Sequence, residues 1–145
     1  MHYKKIKSYN FTETELREIW NKEYCEVLIK TFDDITVQFY STMFDHCFYE
    51  SADRRTRDKS VLSYNRLEKI YWIKEALIDP DAILKVGWDA KTKSYENSRR
   101  VTLVKGNYIV VIVIFADKKA RFITAYEVND DDNLELIKNS PNFRA

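Results

Sequence analysis

The chain is poor in the residues that bend, staple or ligate. It holds two glycines and two prolines in 145 residues. So few chain-breakers leave little room for long linkers, and a glycine-rich phosphate loop has nothing to be built from. Two cysteines, Cys25 and Cys47, make neither a disulfide framework nor a zinc set. They read as reduced thiols in a cytoplasmic protein. No apolar run approaches the roughly 20 residues that span a bilayer. The longest, 108–116, suits a buried strand. Met1-His2-Tyr3-Lys4-Lys5 leads into no apolar segment, so no secretory leader is expected. A disordered chain is excluded by 45% apolar and 14% aromatic residues.

What is present is a partition of charge. Residues 53–121 hold 16 Lys and Arg against 9 Asp and Glu, a balance of +7. The remainder holds 8 against 14, a balance of −6, which leaves the chain at +1. A basic surface in the second half would bind backbone phosphates through its local field, whatever the overall charge. Ordinary solvated Lys and Arg would give the same count.

Hydrophobic periodicity organises the chain as α+β. Thr12 and Glu15 have capping-box spacing, and Leu16, Ile19, Trp20, Tyr24, Val27 and Leu28 follow at helical spacing, so a helix is expected over 13–30. Residues 35–40 alternate as a short strand, and 44–50 read as a strand end or a tight helical turn. The polar stretch 51–60 reads as a loop. A second helix is expected over 62–78, stopped by Asp79-Pro80. Strands follow at 82–88, 100–104, 108–115 and 121–128, with a further short one near 93–96. Hairpin-length connections imply antiparallel neighbours, and the apolar run 109–115 marks the central strand. The expected architecture is N-terminal helices packed on a four- to five-stranded antiparallel sheet in one domain. Residues 1–32 form a helical extension, 33–130 the core and 131–145 an acidic tail.

Three motifs carry a family resemblance: Phe44-x-His46; Ser63-x-x-Arg66-x-x-x-Ile70-x-Trp72-Ile73 with Asp79-Pro80-Asp81; and Phe122-Ile123-Thr124-Ala125-Tyr126. Over residues 35–130 the chain resembles the barnase–EndoU–colicin–RelE-like nuclease superfamily, and within it the phage-associated branch. His46 is the sole histidine of that region, and Asn65 stands where the helix motif usually carries an acid. The resemblance implies a barnase- or RelE-like fold and a metal-independent endoribonuclease. It further implies a toxin of a toxin–antitoxin, phage or mobile-element system, cleaving tRNA or mRNA and checked by a cognate antitoxin or immunity protein. No cofactor and no metal are expected. A non-catalytic RNA- or protein-binding module of the same fold is the alternative.

Cleaving RNA without metal needs a base for the 2′-OH, a cation for the phosphorane and an acid for the leaving 5′-oxygen. His46 suits a proton role because imidazole titrates near neutrality. Arg66 suits the cation role through its fork-shaped fit to phosphate. Thr124 and Tyr126, two apart on one strand, share a face and bring hydroxyls. Arg54, Arg55 and Arg57 are candidates for holding substrate, as are Arg99, Arg100 and Lys105. Each of these has an ordinary reading as well: a structural His, a solvated Arg, a β-favouring pair, a charged sheet rim. Trp72 reads as core, while Trp88 is open to core or base stacking. Cys47 beside His46 is rejected as a nucleophile, since neighbours on a strand face apart. Asp130–Asp132 lacks calcium-loop spacing.

Overall fold

Thr12 opens the first helix as its sequence implies. Its hydroxyl accepts from Glu15 N at 3.1 Å, and Glu15 Oε1 accepts from Thr12 N at 2.9 Å, the reciprocal bonds of a capping box. The computed structural model describes residues 3–50, 61–86, 88–89, 94–95 and 100–139. In it this helix, α1, spans Glu13–Trp20 and closes in a π-helical turn, Asn21–Cys25. The helix expected to residue 30 ends early because Ile29–Lys30 (β1) pairs antiparallel with Thr36–Gln38 (β2). The aromatic stretch 44–50 divides into a short helix, Met43–Phe48 (α2), and a strand, Tyr49–Glu50 (β3). β3 pairs with Val61–Leu62 (β4).

The single helix expected over 62–78 is two helices, Tyr64–Leu67 (α3) and Trp72–Ile78 (α4). The cause lies on the turn after α1. Tyr24 is 1% exposed. Its hydroxyl donates to Ile70 O and accepts from Lys74 N at 3.0 Å. Ile70 and Lys74 are the i and i+4 partners that would bond each other in a continuous helix. A side chain inserted into that ladder breaks it. Burial pushes the Tyr24 phenol well above its ordinary pKa, so it keeps the proton it donates. Lys69 sits in the break and is 3% exposed. Its ammonium is held by Asn65 Oδ1 at 3.0 Å and Glu68 Oε1 at 3.1 Å, as a buried charge requires. Asp79 ends α4 where the Asp-Pro pair places the stop.

The second half supplies Ile83–Val86 (β5), Trp88–Asp89 (β6), Ser94–Tyr95 (β7), Arg100–Lys105 (β8), Tyr108–Ala116 (β9), Lys119–Glu127 (β10) and Asp131–Lys138 (α5). β6 and β7 pair with each other. The main sheet runs β1-β2-β10-β9-β8-β5. The fold is α+β, but the sheet is six-stranded, mixed and strongly curled into a half-barrel, not a four- to five-stranded antiparallel one. β2 makes the difference. It lies parallel to β10, with Thr36 opposite Lys119 and Gln38 opposite Arg121. Hairpin lengths report only on sequential neighbours, so they could not reveal this contact. They do hold for β8–β9 and β9–β10, which are antiparallel. Gly106 takes φ +60 in the first of these turns, a backbone that glycine adopts without a Cβ penalty.

β9 is internal, as its apolar run implies, and it serves two cores. Val110 and Ile112 face the helices, where Leu16, Trp20, Phe48, Ile73 and Phe122 pack with them. Ile109 and Val111 face the other way and are covered with Val104 by Leu134 and Ile137 of α5. The acidic run at 130–132 thus opens a helix, with Asp130 Oδ1 accepting from Asp132 N at 2.9 Å. Among the described residues no helix is long and apolar enough to cross a membrane.

Candidate functional site

The candidate site forms where β2 stops. Gln38 is its last residue, opposite Arg121. Beyond that level α2 and α3 pack against β10 on the flank that β2 leaves. The Cys47 thiol, at the buried side of α2, donates to Ala125 O at 3.7 Å. Ser63 then turns the chain into α3. Its N–H donates to Phe48 O at 2.7 Å, and its hydroxyl accepts from Arg66 N at 3.4 Å. These bonds bring α2, α3 and the end of β10 to one rim.

Arg66 reaches across this rim. Its Nη1 donates to Cys47 O at 2.9 Å, near the C-terminal end of α2, where helix carbonyls lack partners. Its guanidinium carbon lies 5.7 Å from the centre of the Tyr126 ring. Among the described residues one donor of five is engaged, at Cys47, and the fork keeps others for a phosphate. Burial raises the Tyr126 phenol above its ordinary pKa, while the nearby Arg66 charge draws it part of the way back. Tyr126 therefore stays a hydroxyl donor at neutral pH.

A β-bulge between Phe122 and Thr124 decides which hydroxyls face together. Phe122 is opposite Ile112 and packs on the helix side, whereas Thr124 is opposite Val111 and Tyr126 opposite Ile109, both on the other side. Thr124 and Tyr126 share a face, as their spacing implies. His46 lies on the exposed side of α2, one residue before the carbonyl that Arg66 holds. His46 and Cys47 were expected to face apart on a strand. They are helical instead, and the Cys47 thiol is buried against β10.

The remaining candidates scatter. Lys105 ends β8 and pairs with Asp79 Oδ2 at 3.1 Å, which ties the β8–β9 hairpin to the end of α4. Arg100 begins the same strand, about 16 Å away by strand rise, too far to share one phosphate with Lys105. Arg54, Arg55, Arg57 and Arg99 lie outside the described residues, as does the side chain of Trp88. Trp72 packs edge-on between Tyr3 and Tyr108, at 5.4 and 5.3 Å between ring centres.

Register sets Arg121, Lys85 and Thr102, which motif reading missed, beside the candidates Arg100 and Thr124. Arg100, Val113 and Arg121 form one row across β8, β9 and β10. Lys85, Thr102, Val111 and Thr124 form another. Both rows lie on the face away from the main helices. Strict alternation along β10 would set Arg121 and Thr124 on opposite faces, and only the bulge joins them. Among the described strand residues this face carries Lys30, Lys85, Arg100, Lys119 and Arg121 and no carboxylate. Also among the described residues, no group of three or more His, Cys, Asp and Glu is placed to hold a metal ion. No protein-family model, curated protein or solved structure matches this chain.

Proposed function

We propose that this chain is a metal-independent RNA endonuclease working at the rim where α2, α3 and β10 meet. One observation carries the reading. The three motif-bearing segments, distant in sequence, converge through the Arg66–Cys47 bond and the Arg66–Tyr126 contact. In the reaction His46 takes the proton of a ribose 2′-OH. The 2′-oxygen attacks phosphorus, Arg66 with the Thr124 and Tyr126 hydroxyls steadies the charged phosphorane, and the bond to the 5′-oxygen breaks. Water protonates the leaving oxygen, so the products are a 2′,3′-cyclic phosphate and a 5′-hydroxyl. In this reading the protein is a cytoplasmic toxin of a toxin–antitoxin, phage or mobile-element system, acting on tRNA or mRNA. A cognate antitoxin or immunity protein holds it in check.

A second reading, a non-catalytic binding module of the same fold, is favoured by one fact: Arg66 already serves a structural bond at Cys47. The test uses purified protein and RNA in EDTA. The enzyme reading expects cyclic-phosphate ends and a His46→Ala variant that folds normally but loses maximal rate far more than affinity. Binding without cleavage supports the module. Cleavage at an unchanged rate by folded His46→Ala removes His46 from the mechanism.

A further inference from the structure

The face of the sheet away from the main helices opens beyond the part that α5 covers. Cover declines along β9: its first five residues are buried, Val113 and Ile114 are half-buried, and Phe115 is 46% exposed. Ile114 packs on the helix-side core, and Phe115 follows it at a second bulge, between the pairs Ile114–Ala120 and Ala116–Lys119. Val113 faces outward, and Phe115, the bulge residue after the inward-facing Ile114, is left exposed beside it. Two residues before Phe115, the row Arg100–Val113–Arg121 sets one arginine on each side of β9. Neither arginine forms an ion pair among the described residues. An aromatic surface flanked by guanidinium groups that no described acid pairs fits a base with its neighbouring phosphates. Phe115 lies about 13 Å along β9 from Val111, the residue opposite Thr124, which is beyond reach of the same phosphate.

We propose that Phe115, Arg100 and Arg121 form a separate subsite for an unpaired nucleotide of single-stranded RNA that flanks the cleaved bond. Phe115 stacks on the base, and the two arginines hold the adjoining phosphates. The proposal rests on the nuclease reading for its place in the reaction, but binding alone tests it. The probe is a fluorescein-labelled 2′-O-methyl oligouridylate, which lacks the 2′-OH and cannot be cleaved. Fluorescence anisotropy should show Phe115→Ala weakening its binding by about 5- to 150-fold, the range of one base–aromatic stack, with Phe115→Tyr near wild type. Arg121→Ala should lower the slope of log affinity against log salt by about 0.7, the share of one single-strand phosphate. Circular dichroism checks that each variant folds.

Affinity of Phe115→Ala within twofold of wild type overturns the subsite, even if wild-type protein cleaves ordinary RNA. An equal loss on a duplex of the same backbone overturns the stacking of an unpaired base. Absence of wild-type binding overturns it as well. Binding that depends on Phe115, without cleavage of ordinary RNA, upholds the subsite and removes the nuclease reading.

Discussion

Tyr24→Phe should be the most informative single substitution in the fold. The change removes one oxygen and leaves the ring, which packs 4.8 Å from Trp20 and 4.9 Å from Phe39 between centres. That packing holds the gap between α3 and α4 open. Ile70 O then loses its donor and Lys74 N its acceptor, and Ile70 is fully buried. A buried polar group left unpaired costs about 1–3 kcal/mol. Lys74 is nearer solvent and its N–H regains part of that from water. The sum expected is about 2–4 kcal/mol, or roughly 4–16 °C in melting temperature for a chain of this size. Urea unfolding followed by tryptophan fluorescence reads the stability, and amide exchange at Lys74 reads the local bond. The Lys74 amide should exchange faster in the variant. A loss below about 0.5 kcal/mol with Lys74 exchange unchanged would show that the hydroxyl does not sustain the break. A small loss with a gain in helical signal would show instead that Ile70 and Lys74 bond directly once the oxygen is gone.

Asp79→Asn should alter how stability depends on acid. Asp79 accepts from Asp81 N at 2.9 Å, from Tyr3 Oη at 2.9 Å and from Lys105 Nζ at 3.1 Å, and the bond from Asp81 leads in lowering its pKa. A carboxylate depressed in the folded state adds stability above its unfolded pKa of about 3.9 and loses it as pH falls through the lower folded value. The gap between wild type and Asp79→Asn should therefore be constant above about pH 5 and shrink below about pH 4 in denaturant titrations; a gap that widens in acid contradicts the assignment. Lys69→Met should fold with a loss of about 1–2 kcal/mol, because Glu68 and Glu127 are 34% and 24% exposed and can take up water. Lys69→Glu, which buries a carboxylate beside those two, should lose more than about 3 kcal/mol in the same urea assay. Equal stability of the two variants would mean that the ammonium is not held by these acids.

Much of the local structure was legible in the sequence. Thr12 and Glu15 fix the start of α1 through bonds three residues apart. Asp79-Pro80 ends α4 through a clash with the next residue. Hairpin-length turns set β8, β9 and β10 side by side, and the apolar run of β9 marks it as internal, although only its first five residues are buried. These signals are legible because cause and effect lie within a few residues. Of the candidate site, the shared face of Thr124 and Tyr126 follows from period two, whereas the charge partition says nothing of where its cations fall on the fold. The rest came from contacts between distant segments. A single oxygen of Tyr24 divides a helix that its own periodicity would continue. β2 arrives parallel to β10 and stops at Gln38, which leaves the flank that α2 and α3 occupy. The bulge at Phe122–Thr124 turns Arg121 and Thr124 to one face against strict alternation. Arg66 is committed to Cys47 O, a backbone group that no side-chain motif encodes. Propensity and pattern act through neighbouring residues, whereas pairing register, bulges and inserted hydroxyls are settled only when the packed core brings remote segments within hydrogen-bonding distance.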